Sequence, residues 1–292
     1  MPLLQPQAIP ALLRSLATSL PSSAPQAAPA LVSLLAATSL GHGQTWLPHC
    51  VNHALDPHPR LPLDAAVPPE PVNHPLLDKQ LHPRRFVVAQ LKEVLVKSAS
   101  LIGVPRVICA LIDLEGALDD PRDMSRAFVR RGLEDGTVSQ RREAGRHGLR
   151  SVYRSELDGI FDLMHERGLD DLRYLSETTT YGTFLTPHTS SSSRPGAPPQ
   201  PTPSSPSPDP LAHDPRLLSL VTLSCLIPQR SQRELHWHLR GAIRRGWTRD
   251  EVEQVQGAVE QVCEACGVDG VGEGMPRVRD VEAQDEERLR SQ

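Results

Sequence analysis

The chain repeats itself, and the repeat restricts its fold to one built from two similar helical units. Residues 29–40, PALVSLLAATSL, align with residues 215–226, PRLLSLVTLSCL. A second pair follows, in which residues 91–104, LKEVLVKSASLIGV, align with residues 255–268, VQGAVEQVCEACGV. All four segments carry apolar residues at helical spacing. The sequence therefore predicts two related helical halves in one chain.

Each unit consists of an apolar helix, a polar helix that ends near Ala54 or Ala242, and an amphipathic helix that ends at a Gly-Val pair. The glycines of these pairs, Gly103 and Gly267, take the position after a helix that favours glycine. The Pro- and His-rich segment 56–83 separates the last two helices of the first unit.

Strand patterns with a period of two residues are nearly absent, whereas helical spacing recurs between the two units. One such set is predicted to share a helix face: Leu149, Tyr153, Leu157, Ile160, Phe161 and Met164. The predicted fold class is an all-α helical bundle with two related halves.

Two segments, 56–83 and 187–215, are predicted to be disordered insertions. The second of them holds ten prolines and a serine run, and such composition buries too little apolar surface to fold alone. The predicted organisation is an N-terminal segment 1–28, a first half 29–115, middle helices 116–186, a linker 187–215, a second half 216–272 and a charged tail 273–292.

Composition excludes several classes of protein. The 292 residues carry a formal net charge of −4, which argues against a nucleic-acid binder held by bulk charge. No apolar stretch has the length of a membrane span. The five scattered cysteines fit a reducing compartment. We expect a cytoplasmic protein; the mitochondrion is the alternative, because residues 1–55 contain no acidic side chain.

Residues 217–262 resemble the carboxymuconolactone decarboxylase and alkylhydroperoxidase D (AhpD)-like superfamily. The resemblance rests on His238-Leu-Arg-Gly-Ala-Ile and on Gly246-Trp-Thr-Arg-Asp-Glu-Val, in which Thr248 and Glu251 also form a capping box. The first unit is similar to the same family more weakly, as in the fungal branch that carries two halves. This resemblance implies antiparallel helices, assembly into trimers or hexamers, and a site on the polar helix.

The two known chemistries of that superfamily use different residues before the histidine. The hydroperoxidase branch has a CxxC motif there, and Ser231 and Glu234 stand at the matching positions of this chain. The decarboxylase branch has a glutamate four residues before the histidine. The pair Glu234 and His238 therefore resembles the decarboxylase pattern more closely.

Glu234 and His238 lie one helical turn apart, so the carboxylate could orient the imidazole for proton transfer. They are the predicted catalytic residues. An ordinary exposed pair on a helix has the same spacing, so both interpretations stay open.

Cys263 and Cys266 form a CxxC motif and are the alternative redox site. They lie in the last helical turn before Gly267, where the helix dipole raises the pKa of a thiol. Cys266 also continues the apolar stripe of this helix, so a structural role is favoured.

Neither a metal nor a cofactor is predicted. His49 and His53, with His42 and His58 nearby, have no second pair of ligands at a recognised spacing. The arginines at 142, 146, 150 and 154 are interpreted as a solvated helix face.

The expected function is that of a cofactor-free enzyme that uses a histidine for acid–base chemistry on a small organic acid or lactone. A thiol-based hydroperoxide reductase and a helical scaffold without activity are the alternatives. The expected partner is a small-molecule substrate, with no nucleic acid and no membrane. A small homo-oligomer is slightly preferred over a monomer, because two halves in one chain could replace two protomers.

Overall fold

The computed structural model describes residues 5–60, 82–130, 133, 136–186 and 209–281. All regular secondary structure in these ranges is helical, which confirms the predicted all-α fold. The helices are α1 (Ile9–Ser19), α2 (Ala28–Ser39), α3 (Gly43–Leu55), α4 (Pro83–Ile102), α5 (Val104–Leu111), α6 (Val138–Tyr153), α7 (Glu156–Glu166), α8 (Asp170–Leu175), a π-helical segment (Ser176–Leu185), α9 (Arg216–Leu226), α10 (Gln232–Arg244) and α11 (Arg249–Ala265).

The two apolar helices of the repeat, α2 and α9, pack against each other at the centre of the core. Every residue of α2 is buried, and so is every residue of α9 after Arg216. Each of these helices also packs against the third helix of the other unit, α2 against α11 and α9 against α4. A helix that is apolar on all sides is buried on all sides. The contacts between each apolar helix and the third helix of the other unit bury α2 and α9 in this way.

Helix α1 lies in the N-terminal segment, where the sequence indicated no helix. Its residues Ile9, Leu13 and Leu16 are buried against the core formed with α2, α3 and α11. Pro10 lies in its first turn, where a missing N–H group costs no hydrogen bond. The prolines before and after α1 therefore mark its ends and do not prevent the helix from forming.

The predicted helix ends are confirmed. Gly103 and Gly267 both have positive φ angles, 92° and 83°, as expected for the residue that follows a helix. At the start of α11, the backbone N–H of Glu251 donates to Oγ1 of Thr248 at 3.3 Å. The N–H of Thr248 donates to Oε2 of Glu251 at 2.8 Å, which completes the capping box.

The apolar face predicted from Leu149 to Met164 is divided between two helices. Helix α6 ends at Tyr153, because Arg154 takes a positive φ of 49°, and α7 starts at Glu156. The face still forms one apolar cluster, in which Leu149, Val152, Leu157, Phe161, Tyr181, Leu185 and Leu218 are buried. Of the six residues predicted from the spacing, Leu149, Leu157 and Phe161 are buried, and Tyr153, Ile160 and Met164 are half-buried; the spacing did not indicate the break.

Helix α6 and the π-helical segment approach each other so closely that only glycine fits between them. A Cβ atom on Gly145 would lie 1.8 Å from the carbonyl oxygen of Glu177, and one on Gly182 would lie 2.4 Å from that of Arg141. These contacts are with backbone atoms, which cannot move aside as a flexible side chain can.

We expect Gly145→Ala to lower the free energy of unfolding by about 3 kcal/mol, the upper part of the range for overpacking. The measurement is urea denaturation followed by circular dichroism. Gly159→Ala in α7 is the control, because nothing lies within 4 Å of its Cβ position and alanine favours a helix by about 0.5–1 kcal/mol. Equal stabilities of the two variants would contradict the close packing.

Most of the two predicted insertions lies outside the described residues, namely 61–81 of the first and 187–208 of the second. Residues 282–292 of the predicted tail also lie outside them. The boundaries predicted for the segments and halves stay predictions. Among the described residues, no helix is both long enough and apolar enough to span a membrane.

Candidate functional site

The candidate site lies on α10, the polar helix of the second unit. Leu235, Leu239 and Ala242 of this helix are buried in the core, and His238 lies beside them with 4% of its surface exposed. Because α10 packs against α6, the imidazole faces Tyr153 at the end of that helix. The two ring centroids are 6.3 Å apart in an edge-on arrangement.

Two tyrosines and the histidine form a hydrogen-bonded chain. The hydroxyl of Tyr181, in the π-helical segment, lies 3.4 Å from Nε2 of His238. The hydroxyl of Tyr153 also interacts with that of Tyr181, and we assign the hydrogen of Tyr181 to the contact with Nε2. A neutral imidazole that accepts at Nε2 carries its proton on Nδ1. This Nδ1 atom is buried and has no hydrogen-bond partner in the described part of the chain.

Arg245, the residue directly after α10, completes the cluster. Its Nη1 atom lies 3.6 Å from the place where a Cβ atom of Gly241 would stand. Nη1 is buried and has no hydrogen-bond partner among the described residues. The charge of Arg245 faces the hydroxyls of Tyr181 and Tyr153. We refer to Tyr153, Tyr181, His238 and Arg245 as the Tyr–His–Arg cluster.

Burial and the arginine determine the protonation of this cluster. Burial, with a smaller contribution from Arg245, lowers the pKa of His238 to about 3, so the imidazole is neutral at pH 7. Burial raises the pKa of Tyr181 to about 12 and holds the pKa of Tyr153 well above its usual range. Both hydroxyls therefore stay protonated, and Arg245 carries the charge of the cluster.

Glu234 does not have the position that the sequence suggested. The residue is exposed, and it makes no hydrogen bond with His238. The contact at Nε2 of His238 is made by Tyr181. A spacing of four residues places two side chains on the same side of a helix, but here one of them turns to the core and the other to solvent.

Cys263 and Cys266 are both buried, at the end of α11, and both are free thiols. Burial raises the pKa of each to about 12. Cys50, on α3 of the first unit, is also buried, and its pKa is raised by burial and by the nearby Cys266. These thiols are protonated at pH 7, whereas the thiolate is the reactive form.

The other candidate residues have ordinary positions. His42, His49, His53 and His58 are half-buried, and no group of three or more metal-ligating side chains occurs in the described ranges.

The arginines of α6 are not simply solvated. Arg142 and Arg146 pair with the fully buried carboxylate of Glu177, the second of them at 2.7 Å. Arg150 pairs with Asp158, and both of these side chains are exposed.

Sequence reasoning missed three members of the cluster. Tyr153 was assigned only to an apolar face, and Tyr181 stood in no recognised pattern. Arg245 lies seven residues after His238, a spacing that places both on one helix face, and this signal could have been found. The tyrosines come from separate elements, so no spacing in the sequence relates them to the histidine.

The fold is all-α, and the Tyr–His–Arg cluster lies where α10, the polar helix of the second unit, packs against α6 and the π-helical segment. The chain is 24% identical over 210 residues to a protein of Saccharomyces cerevisiae named Peroxisomal protein 2, an alignment that covers 63% of this chain and 64% of that protein. It is also 24% identical over 187 residues to a Schizosaccharomyces pombe protein of the same name, covering 64% of this chain and 75% of that protein.

The alignment thus spans less than two thirds of the length of the budding yeast relative. No family model matches the chain. No solved structure matches it significantly.

Proposed function

We propose that this protein is a cofactor-free enzyme, similar to carboxymuconolactone decarboxylase, that performs acid–base chemistry on a small organic acid or lactone. The observation that supports the proposal is the hydrogen-bonded chain from Tyr153 through Tyr181 to His238. It ends at a buried imidazole nitrogen that has no partner among the residues that the structure describes. A side chain used for proton transfer needs a held tautomer and a free nitrogen that faces the substrate.

The low pKa of His238 is compatible with this role. In the cluster without a ligand, burial and Arg245 keep the imidazole neutral. A bound anion would supply the opposite charge and raise the pKa of the imidazole towards neutrality. As an imidazolium, with protons on both nitrogens, His238 would donate the Nδ1 proton to the substrate and keep the proton on Nε2, for which Tyr181 then acts as the hydrogen-bond acceptor.

The thiol-based alternative has less support. Cys263 and Cys266 have pKa values near 12, and they lie at the C-terminal end of a helix, which does not stabilise a thiolate. The scaffold without activity remains the second alternative, because fold does not imply function. The exposed position of Glu234 favours the inactive scaffold over a decarboxylase whose mechanism depends on this glutamate.

The names of the yeast relatives suggest where in the cell this protein is located. Both are called peroxisomal proteins, and we propose the peroxisome as the location of this protein in place of the cytoplasm or mitochondrion. Microscopy of a fluorescent fusion beside a peroxisomal marker tests this. The homo-oligomer stays a prediction that light scattering at micromolar concentration decides.

The activity test compares the purified wild type with His238→Ala and Tyr181→Phe on a muconolactone-type acid and on an organic hydroperoxide with a dithiol donor. We expect His238→Ala to reduce the rate on the acid about 10²- to 10⁴-fold, the usual contribution of a general acid or base. His147→Ala, an exposed histidine of α6, is the matched control and keeps the wild-type rate.

The other outcomes separate the alternatives. Turnover of the hydroperoxide that is lost only in Cys263→Ser would support thiol chemistry. If neither substrate reacts and the variants change only stability, the scaffold is the better account.

A further inference from the structure

Two buried nitrogen atoms of the Tyr–His–Arg cluster have no hydrogen-bond acceptor in the part of the chain that the structure describes. One is Nη1 of Arg245 and the other is the protonated Nδ1 of His238; neither has a partner among the described residues. They lie two turns apart on the same face of α10. A buried donor without an acceptor costs about 1–3 kcal/mol, and a charged one costs more. A ligand that supplies an acceptor to both nitrogens would recover this cost.

The charges around these donors indicate the charge of the ligand. Arg245 forms no ion pair in the described ranges, and the side chains that its charge faces are the neutral tyrosines Tyr153 and Tyr181. Glu234, which acts on the hydroxyl of Tyr153, is exposed to solvent. One positive charge is thus left without a counterion. A monoanion balances it, whereas a phosphate dianion would leave one buried negative charge uncompensated.

The shape of the donors selects among monoanions. A guanidinium is a planar fork that binds the two oxygens of a carboxylate in its own plane. The Cβ position of Gly241 lies 3.2 Å from Cγ1 of Val152 and 3.6 Å from Nη1 of Arg245, so a side chain at residue 241 would crowd both. The absence of that side chain allows the guanidinium to lie close to the helix.

We propose that Arg245 and His238 form a binding site for the carboxylate group of a small monoanionic organic acid, with Arg245 as the residue that recognises the carboxylate. The inference rests on the proposed function and names the substrate class for the same site. Arg245 determines affinity for the acid, and His238 transfers the proton. Substitution of Arg245 therefore acts mainly on Kd and KM, and substitution of His238 acts mainly on kcat.

The test measures binding to the full chain without turnover. Propionate is the probe, propionamide is the uncharged control of nearly the same shape, and inorganic phosphate tests the preference for a monoanion. Isothermal titration gives Kd, and the shift in melting temperature at tens of millimolar ligand checks it independently. We expect propionate to bind at a stoichiometry of one, and propionamide and phosphate to bind at least ten-fold more weakly.

Variants assign the binding to the arginine. Arg245→Met is expected to weaken propionate binding about 10- to 100-fold, the usual effect of losing charge-assisted hydrogen bonds. Arg245→Lys keeps the charge without the fork and is expected to bind with intermediate affinity. Arg233→Ala removes an exposed arginine of the same helix and is expected to leave Kd unchanged. Circular dichroism confirms that each variant retains its helices.

Three results would overturn the inference: no binding of propionate, equal binding of phosphate, or the wild-type Kd in Arg245→Met. The inference and the proposed function can fail separately. If propionate binds through Arg245 but no acid is turned over, the proposed binding site is supported and the proposed enzymatic function is contradicted. If an acid is turned over and Arg245→Met leaves both KM and Kd unchanged, the enzymatic function is supported and the binding site is contradicted.

Discussion

Replacement of Lys97 by methionine is expected to lower the free energy of unfolding by about 3–5 kcal/mol, the range for removing one partner of a buried ion pair. Nζ of Lys97 lies 2.9 Å from Oδ2 of Asp209 and 3.4 Å from Oε1 of Glu93, and these three side chains are at most 2% exposed. Lys97 also donates to the carbonyl oxygen of Phe184 at 2.8 Å.

Two buried carboxylates lose the ammonium group in this variant. Glu93 would retain Arg130, whose Nη1 and Nη2 lie 3.1 and 2.7 Å from its two oxygens. Asp209 would lose its ion pair with Lys97 and retain the hydrogen bond that its Oδ1 accepts from the backbone N–H of Leu211 at 2.9 Å. Methionine nearly preserves the volume and apolar stem of lysine, so the loss measures the missing charge and not a cavity.

Urea denaturation at pH 7 measures the effect of Lys97→Met. Arg126→Ala is the control, since its ion pair with Glu115 is 63% and 52% exposed and exposed pairs contribute about 0–1 kcal/mol. A loss below about 1 kcal/mol in Lys97→Met would show that solvent reaches the network.

Stability is expected to fall as the pH is lowered from 6.5 towards 3, because His238 must stay neutral in the folded protein. The pKa of His238 is about 3 in the folded state against an ordinary value of 6.5. Between these values the unfolded chain binds a proton that the folded chain does not, so protons favour unfolding. The slope amounts to about 1.4 kcal/mol per pH unit, or roughly 3 kcal/mol between pH 7 and pH 4.

The variant His238→Gln separates this effect from the other titrating groups. The pKa of Glu177 is lowered by hydrogen bonds and charges from Arg146 and Arg142, despite burial, so its protonation also costs stability in acid. Glutamine cannot titrate but retains a polar side chain, so the difference between the variant and wild type isolates the histidine. Denaturation curves at several pH values measure it. Parallel pH profiles for the two proteins would contradict a buried neutral His238.

The buried charge network and the candidate site share one element, the π-helical segment Ser176–Leu185. Before Tyr181, Glu177 pairs with Arg142, Arg146 and Arg173. After Tyr181, the carbonyl oxygens of Thr183 and Phe184 accept hydrogen bonds from Arg130 and Lys97. The segment is thus held on both sides of the tyrosine that orients His238, which fits a site whose geometry is set before a ligand binds.

The helical class and much of the core follow from the order of the residues. The spacing of apolar residues at 3.6 positions predicts where helices form, and the repeat predicts that they form twice. Glycines and capping boxes predict where the helices end. These are local properties of the sequence. The stripe on α11, Val252, Val255, Val259, Val262 and Cys266, is buried as its spacing predicted. His238 was identified because its neighbours on α10 resemble a known family.

The environment of His238 depended on tertiary packing. Tyr181 reaches it from a segment 57 residues earlier in the chain, and Tyr153 from the end of a helix whose break at Arg154 no periodicity indicated. Glu234 is on α10 itself and yet lies outside the cluster. Hydrogen bonds and burial depend on distances between elements, and only the packing of α10 against α6 and the π-helical segment decides which polar groups lose contact with water.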